Sequence, residues 1–278
     1  MSSNNKSLKI VPFLKWPGGK RWFVSAYSDL IPTNYNNYVE PFLGAGSLYF
    51  HMQPERALLG DINAELINTY QAIKDDWRSI ENSLLYHQRF HSADAEGYYY
   101  SQRDNIPSSR SEQASRLIYL NRTCFNGIYR VNLSGKFNVP RGDKNKVVIE
   151  TDDFKSISNL LARAELISGD FEPLIEKANK NDLVFCDPPY TISHNNNGFL
   201  KYNEILFSWV DQERLAAALR RAANRGAKVL CTNANHHSIF NLYDRVIFDK
   251  KVVSRASQIS AKSQNRRRFE ELIIRANI

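Results

Sequence analysis

The tetrapeptide Asp187-Pro188-Pro189-Tyr190 carries the residue types in this sequence that are best suited to chemistry, and an apolar run at 183–186 leads into it. Each proline locks its own φ, and the first holds its predecessor in extended geometry. The Asp187 carboxylate, the Pro188 carbonyl and the Tyr190 ring are therefore held in fixed relative positions. Two acceptors beside an aromatic face suit a planar amine, and a flipped adenine offers both an amine and a ring to stack on. A turn that happens to contain two prolines is the alternative interpretation.

A glycine turn between two short strands predicts a second site. Residues 38–42 have the pattern of a strand, Gly44-Ala45-Gly46-Ser47 follows, and the next strand ends at Asp61. Glycines let the backbone approach a nucleoside, and a carboxylate at the end of the next strand accepts from ribose hydroxyls. The acid at Glu40 favours a cationic or hydroxylated ligand over a pyrophosphate. S-adenosylmethionine, a sulfonium nucleoside, fits both carboxylates, whereas a tight turn without a ligand is the alternative.

The segment Phe13-Leu14-Lys15-Trp16-Pro17-Gly18-Gly19-Lys20 places two lysines and a tryptophan around a glycine turn. A glycine turn flanked by lysines indicates close approach of the backbone to an anion. The alternative is a basic lead-in in which Trp16 anchors the core.

Strands and helices alternate on both sides of a central stretch, which predicts an α/β fold with these residues at the carboxyl edge of its sheet. The alternation stops between about 71 and 145, where 84–120 are predicted to be helical in parts and 128–140 to form a β-hairpin. We therefore expect a catalytic domain formed by 1–70 and 146–278, with a mostly α-helical insertion at 71–145. The remaining predictions are helices at 62–82 (N-cap Asn63) and 212–224, strands at 57–61, 164–168, 227–232, 245–248 and 270–274, a break at 107–109, and a mobile basic loop at 254–268.

The positive charge is concentrated in three stretches. Residues 1–22 carry five Lys/Arg and no acid, and 101–150 and 244–278 each carry nine Lys/Arg against four acids. Because the whole chain carries only +8, the rest of it is net acidic. Segregated positive charge indicates a polyanion partner. Aromatic residues lie among the basic ones (Tyr119, Phe125, Tyr129 and Phe137), which favours a nucleic acid over a membrane surface.

The bulk properties exclude several other classes. A chain of 278 residues can hold one large domain with an insertion. There is no long apolar run and no signal-peptide pattern, so we expect a cytoplasmic protein, and a monomer is the default expectation. The three cysteines form no CxxC pair, and His236-His237 is the only pair of adjacent histidines, so neither a disulfide nor a metal site is expected.

Taken in order, these elements resemble the Dam-type DNA adenine-N6 methyltransferases, the α-group (D12 class) of amino-methyltransferases, over about 13–274. That group has its cofactor glycines first, a target-recognition insertion second and the Asp-Pro-Pro-Tyr loop last. The resemblance implies a Rossmann-like S-adenosylmethionine-dependent methyltransferase sheet with an inserted, mostly helical target-recognition domain that carries a β-hairpin and acts on double-stranded DNA. It rests on Phe13-Leu14-Lys15-Trp16-Pro17-Gly18-Gly19-Lys20, Glu40-Pro41-Phe42-Leu43-Gly44-Ala45-Gly46-Ser47, Asp61-Ile62-Asn63, Leu120-Asn121-Arg122-Thr123-Cys124-Phe125-Asn126-Gly127, Phe137-Asn138-Val139-Pro140, Gly169-Asp170-Phe171 and Asp187-Pro188-Pro189-Tyr190.

The resemblance also implies roles for single residues. For the cofactor pocket they are Trp16, Lys20, Asp61 and Asp187, with Asp170 and Phe171 near the adenine of the cofactor. For DNA they are Phe125 as a wedge in the base stack, Asn126, Ile128, Arg130, Asn132 and Pro140 near the target bases, and Lys15 near a guanine.

Several alternatives stay open. Arg130 could pair bidentately with guanine or contact a phosphate. The hairpin resembles enzymes that read GATC, which we predict, and relatives that read longer sites beginning with GAT. Arg141-Gly142-Asp143 stands where the family usually has an aromatic residue and a glycine. An RNA or protein amide methyltransferase is the alternative enzyme, and a non-catalytic DNA-binding relative is a third class.

The expected reaction moves a methyl group to the exocyclic amine of adenine. Acceptance of the amine hydrogens by Asp187 and the Pro188 carbonyl draws the nitrogen toward tetrahedral geometry, and Asp187 stabilises the positive charge that develops there. Tyr190 stacks on the flipped base. No metal is needed, and Cys186 is predicted to face the core.

Overall fold

The computed structural model of the chain describes residues 10–132, 135–190, 207–256 and 268–278. By its internal contacts the chain divides into two compact units. Unit 1 comprises Met1–Val24, Gly44–Pro54 and Asn63–Ser168, and unit 2 comprises Ser25–Leu43, Glu55–Ile62 and Gly169–Ile278.

The strands form one seven-stranded sheet in the order β3-β2-β1-β4-β5-β7-β6, in which β1 pairs in parallel with β2 and β4, and β4 with β5. Strand β7 runs antiparallel between β5 and β6. This mixed, mostly parallel sheet confirms the predicted Rossmann-like methyltransferase fold class. The strands are β1 (Tyr38–Glu40), β2 (Ala57–Asp61), β3 (Ala164–Ser168), β4 (Leu183–Cys186), β5 (Lys228–Ala234), β6 (Asp249–Ala256) and β7 (Arg268–Ala276).

The central strands are apolar because both of their faces are covered. Every residue of β1 and β4 is buried, as is the run from Val229 to Asn233 in β5. Continuous burial of this kind is typical of parallel strands in an α/β sheet. The register aligns Leu183 with Tyr38 of β1 and with Lys228 of β5, so the three parallel strands begin at the same level and their carboxyl ends face the same edge.

One helix of unit 1 was predicted with bounds, at 62–82, and it begins near its predicted start and ends later. The side chain of Asn63 accepts from the Leu66 N–H at 3.0 Å, which confirms the predicted N-cap. The helix that begins there continues to Ala93, past the predicted end at 82, with a kink at Asp76. The predicted break at 107–109 ends in Ser109, which caps the next helix. These helices are α2 (Ser47–Met52), α3 (Ala64–Ala93), α4 (Ala95–Asp104), α5 (Arg110–Thr123) and α6 (Phe154–Leu161), and α1 (Arg21–Ala26) precedes β1.

Unit 2 contains α7 (Phe171–Glu176), α8 (Trp209–Asn224) and α9 (His237–Leu242). Helix α8 begins three residues before its predicted start because Ser208 and Asp211 form a reciprocal capping box. None of the helices in the described ranges has the length and apolar character needed to cross a membrane.

Three predicted elements lie in the C-terminal region. The strand predicted at 245–248 is wrong: a turn occupies these residues, and β6 begins only at Asp249. The Asp244 carboxylate accepts from the Val246 N–H at 2.6 Å, a side-chain contact that competes with strand pairing. The basic loop predicted at 254–268 lies mostly outside the described residues. The strand predicted at 270–274 lies within β7.

The predicted hairpin at 128–140 is present as a short antiparallel pairing. Val131 and Phe137 form a β-bridge, and the Asn132 N–H donates to the Lys136 carbonyl at 2.8 Å. The turn closes through the Gly135 N–H and the Asn132 carbonyl at 2.9 Å.

Candidate functional site

Carboxylates stand at the ends of three neighbouring parallel strands in unit 2. Glu40 ends β1, Asp61 ends β2, and Asp187 follows the last residue of β4. Glu40 is only 2% exposed, and its Oε2 accepts from the Tyr38 hydroxyl at 2.8 Å. Burial and the neighbouring Glu40 hold the pKa of Tyr38 well above its usual value, so the phenol stays a donor. The carboxyl edge of the sheet is thus strongly acidic.

Asp170 and Phe171 lie where β3 gives way to α7, beside the end of β2. The Gly169 N–H donates to the Asp61 carbonyl at 3.1 Å, and Asp170 caps α7 by accepting from the Glu172 N–H at 2.9 Å. The ring of Phe171 is buried, stacked on Phe42 at 5.3 Å between centroids. Asp170 and Phe171 are therefore held in place by contacts on both sides of the turn.

Arg214 of α8 holds Asp170 and Phe171 in place, and no motif in the sequence points to this residue. Its Nη2 donates to Asp170 Oδ1 at 2.8 Å and to Glu172 Oε2 at 2.9 Å. Its guanidinium also lies over the Phe171 ring, 4.9 Å from the centroid. The hydrogen bond that Arg214 donates to Asp170 is the foremost reason why the pKa of Arg214 is raised. Arg214 therefore fixes the side chain of Asp170 and covers the ring of Phe171.

The Asp187-Pro188-Pro189-Tyr190 loop leaves β4 as predicted, with Pro188 buried and Asp187 and Tyr190 half-buried. Side chains of β5, α8 and β7 contact it. The Thr232 hydroxyl of β5 donates to Asp187 Oδ1 at 2.6 Å, and Gln212 Nε2 of α8 donates to the Pro189 carbonyl at 3.4 Å. The loop is therefore fixed from outside as well as by its prolines.

Tyr190 is hydrogen-bonded to β7, the strand that follows β5 in the sheet. Its hydroxyl donates to Oε2 of the buried Glu271 of β7 at 2.6 Å. Burial, followed by the charges of Asp187 and Glu271, holds the pKa of Tyr190 well above its usual value. The Tyr190 hydroxyl is therefore a fixed, neutral hydrogen-bond donor, and the ring lies beside Asp187.

Cys186 is fully buried, in agreement with the prediction that it faces the core. Burial holds the pKa of its thiol well above the usual value. A protonated, buried thiol is a poor nucleophile. Within the described ranges, His, Cys, Asp and Glu side chains form no group of three that could hold a metal ion.

The glycine turn of unit 1 is packed against the N-terminal segment. Gly44 and Gly46 have φ of +48° and +62°, in the left-handed region that favours glycine. A Cβ at Gly44 would lie 3.0 Å from Cδ1 of Trp16. The Trp16 indole is half-buried and stacks on Tyr129 at 5.0 Å with an interplanar angle of 20°. Lys20 is buried, and its ammonium donates to the Gly18 carbonyl at 3.0 Å.

The segment at 125–127 presents an aromatic ring from a fixed backbone. Phe125 is 54% exposed, while its N–H donates to the Pro140 carbonyl at 2.9 Å. Asn126 is exposed and adopts a left-handed conformation, and Ile128 is half-buried. An exposed ring on a pinned backbone is a suitable wedge for a base stack.

Lys15 is joined to this segment by Asn121, a residue for which no role was predicted. The buried Asn121 amide accepts from the Lys15 N–H at 2.9 Å and donates to the Lys15 carbonyl at 2.8 Å. The exposed Lys15 ammonium donates to the carbonyl of Asn126. Asn121 therefore fixes Lys15 beside the hairpin.

The remaining predicted DNA residues lie on the hairpin. Arg130 is exposed, and its Nε donates to Asn138 Oδ1 at 3.1 Å. The exposed Asn132 accepts from the Lys136 N–H at 3.0 Å, and Pro140 is exposed beside the backbone of Phe125. All seven predicted DNA residues therefore belong to unit 1, and five of them are exposed side chains of 125–140.

A mostly parallel sheet with carboxylates at the ends of its central strands is the arrangement of a Rossmann-like methyltransferase. The chain matches the family described as D12 class N6 adenine-specific DNA methyltransferase over residues 16–259. It is 34% identical to a type II methyltransferase of Lactococcus lactis subsp. cremoris, over 96% of this chain and 95% of the relative. It is 33% identical to a type II methyltransferase of Methanocaldococcus jannaschii (94% and 96% covered) and 30% identical to a DNA adenine methylase of Haemophilus influenzae (96% and 93%).

The chain therefore belongs to the D12 class of N6 adenine-specific DNA methyltransferases. This confirms the resemblance stated from its sequence segments. The protein is an enzyme that methylates adenine in DNA.

Proposed function

We propose that the enzyme transfers the methyl group of S-adenosylmethionine to the exocyclic amine of an adenine that has been flipped out of duplex DNA within GATC. The observation that carries the proposal is the anchored loop after β4, in which Asp187 and Tyr190 are both held by buried side chains. We further propose that it acts as a monomer in the cytoplasm.

The acids of unit 2 fit this methyl donor. When bound, S-adenosylmethionine supplies an electrophilic methyl group on a cationic sulfur. The buried Glu40 and the half-buried Asp61 are suited to a molecule that carries a positive charge and ribose hydroxyls. Since the Phe171 ring is buried, we assign recognition of the cofactor's adenine to the Asp170 carboxylate and the Phe171 backbone. In unit 1, Trp16, Lys20, Gly44 and Gly46 keep the cofactor roles that family membership suggests.

Asp187 and Pro188 act on the amine. The nitrogen lone pair of adenine is delocalised into the ring, so the amine is a weak nucleophile. Asp187 and the Pro188 carbonyl accept its two hydrogens, which localises the lone pair on the nitrogen. Positive charge develops on this nitrogen as it gains the methyl group, and the carboxylate stabilises that charge before a proton is lost. Tyr190 stacks on the extruded base.

Unit 1 recognises the DNA in this proposal. The exposed Phe125 ring enters the base stack, and Asn126, Ile128, Asn132 and Pro140 lie near the target bases. Lys15 approaches a guanine. Arg130 is exposed and held on one side by Asn138, which suits either a guanine edge or a phosphate.

A guanine contact and a phosphate contact predict different outcomes for Arg130→Gln. Loss of a guanine contact relaxes the sequence preference at one position. Loss of a phosphate contact weakens binding to all sequences and reduces the salt dependence of the affinity.

The first experiment combines the purified protein, labelled S-adenosylmethionine and unmethylated plasmid DNA, with modification-resolving sequencing of the product. We expect N6-methyladenine confined to GATC. Methyladenine in a longer site that begins with GAT would keep the mechanism and overturn the specificity. Transfer to RNA or to a protein amide, with DNA left unmodified, would overturn the proposed substrate.

The role of the loop is tested by Asp187→Ala. The variant should lose nearly all turnover and keep most of its affinity for DNA, since this carboxylate contacts only the amine of the flipped adenine and the proposed DNA contacts outside that base come from unit 1. Retention of more than a few per cent of the wild-type rate would contradict the proposal.

A further inference from the structure

Asp187 of the loop at 187–190 accepts a hydrogen bond from a buried hydroxyl on the neighbouring strand β5. Thr232 is fully buried on β5, and its Oγ1 lies 2.6 Å from Asp187 Oδ1. The register pairs Cys186 with Cys231, so Thr232 stands level with Asp187, one residue beyond the aligned cysteines. This distance is typical of a short hydrogen bond from a hydroxyl to a carboxylate, and bonds to ionised acceptors are the stronger kind.

The aromatic residue of the loop is held in the same way from β7. Glu271 is 5% exposed and accepts from the Tyr190 hydroxyl at 2.6 Å. Glu271 pairs with Ala234 of β5, two residues beyond Thr232, so both anchoring groups lie at the same end of adjacent strands. The sheet therefore holds the two ends of the loop independently of its prolines.

We propose that Thr232 and Glu271 are positioning residues for methyl transfer: Thr232 orients the Asp187 carboxylate, and Glu271 orients the Tyr190 ring. The inference rests on the proposed roles of Asp187 and Tyr190. An aspartate carboxylate can turn about its Cβ–Cγ bond, and a short hydrogen bond to one oxygen fixes that rotation. A phenol that donates a hydrogen bond to a buried carboxylate has the outer end of its ring fixed in position. Both effects place the groups before the base arrives.

The experiment measures the single-turnover methylation rate with saturating S-adenosylmethionine and duplex DNA, and the Kd of each ligand separately. Thr232→Val removes the hydroxyl and nearly keeps the shape, so we expect the rate to fall about tenfold to a hundredfold, the effect of losing one hydrogen bond to a charged acceptor. Both Kd values should stay within about twofold of wild type. Thr232→Ser should restore most of the rate because it keeps the donor.

A matched control separates this effect from general destabilisation. Thr69 is also a buried threonine, and its hydroxyl donates to the Glu65 carbonyl of its own helix at 2.8 Å. Thr69→Val should therefore leave the single-turnover rate unchanged. Melting temperatures of all variants show whether a lost rate reflects lost folding.

A double-mutant cycle tests whether Thr232 acts through Asp187. In the Asp187→Ala background, which leaves the Thr232 hydroxyl without its carboxylate acceptor, Thr232→Val should cause less than about a twofold further loss of the residual rate. Likewise, Glu271→Leu should slow wild type about tenfold and have little effect in the Tyr190→Phe background. An equal loss in both backgrounds would overturn the positioning role.

The outcomes distinguish this inference from the proposed function. If Asp187→Ala abolishes turnover while Thr232→Val reacts at the wild-type rate, the positioning role is wrong and the role of Asp187 stands. If Asp187→Ala reacts normally, the proposed function itself is wrong and the positioning role falls with it.

Discussion

The buried ion pair between Arg122 and Asp152 offers a sharp test of what holds unit 1 together. Arg122 Nη1 donates to the Val147 carbonyl at 2.6 Å, and Nη2 donates to the Phe13 carbonyl at 3.0 Å. Both Nη atoms also bind Asp152, at 2.7 and 2.6 Å, and both side chains are less than 10% exposed. One guanidinium therefore joins the N-terminal segment to the residues just before α6.

The expected cost of Arg122→Met follows from these contacts. The substitution keeps an unbranched side chain of similar length but removes every donor. It leaves the Asp152 carboxylate buried with the Ile149 N–H as a remaining partner at 3.0 Å. Removal of one partner from a buried pair costs about 3–5 kcal/mol, because the other charge stays uncompensated. Two backbone carbonyls also lose a donor, so the upper half of that range is expected.

The assay is chemical and thermal unfolding of wild type and variant. With an unfolding entropy of about 2.1 cal/mol/K per residue, a loss of about 3–5 kcal/mol corresponds to a decrease of about 5–9 °C in Tm for a chain of this size. Arg110→Met is a matched control, since Arg110 pairs with Asp75 at 3.2 Å on the surface, where each side chain is about half exposed. That variant should lose less than about 1 kcal/mol. An Arg122→Met variant that is no less stable than the Arg110→Met variant would refute the reasoning.

Three further predictions concern the DNA wedge, the cofactor and pH. Phe125→Ala should keep the wild-type Tm, since the side chain is exposed. It should reduce the fluorescence enhancement of a 2-aminopurine placed at the target adenine, which reports extrusion of that base. Undiminished enhancement would exclude the wedge role. Arg214→Gln frees Asp170 and should raise the Kd of S-adenosylmethionine about tenfold in calorimetry while the Kd of DNA is unchanged; an unchanged cofactor Kd would contradict this. Burial, followed by the charge of Arg116, lowers the pKa of His87 from 6.5 to about 4. Since the unfolded chain binds that proton at higher pH, the free energy of unfolding should fall by about 3 kcal/mol between pH 6.5 and 4, and His87→Gln should show a shallower decrease.

The sequence predicted those elements whose signals are local. The strand at 57–61 was predicted with its observed bounds. Asn63 was predicted as an N-cap because asparagine just before an apolar helical pattern commonly caps the helix. The loop at 187–190 was placed at a strand end because two prolines terminate an apolar run. The wrong strand at 245–248 shows the limit: an apolar pattern was present, but the Asp244 side chain stabilises a turn instead.

The groups that anchor the site could not be found in this way. Thr232 and Glu271 lie 45 and 81 residues from the loop residues they bind. Their contacts depend on strand register and on the antiparallel insertion of β7 beside β5, which local patterns do not specify. Arg214 is one of several arginines on α8, and only the packing of α7 against it shows which one reaches Asp170.

The position of Trp16 has a thermodynamic consequence. One indole contacts the glycine turn at Gly44 and stacks on Tyr129 of the hairpin, so a ligand that moves the ring at either place changes the other. Linkage requires that such coupling be reciprocal: the factor by which the methyl donor changes the affinity for DNA equals the factor by which DNA changes the affinity for the methyl donor. The final ternary affinity is then the same whichever ligand binds first.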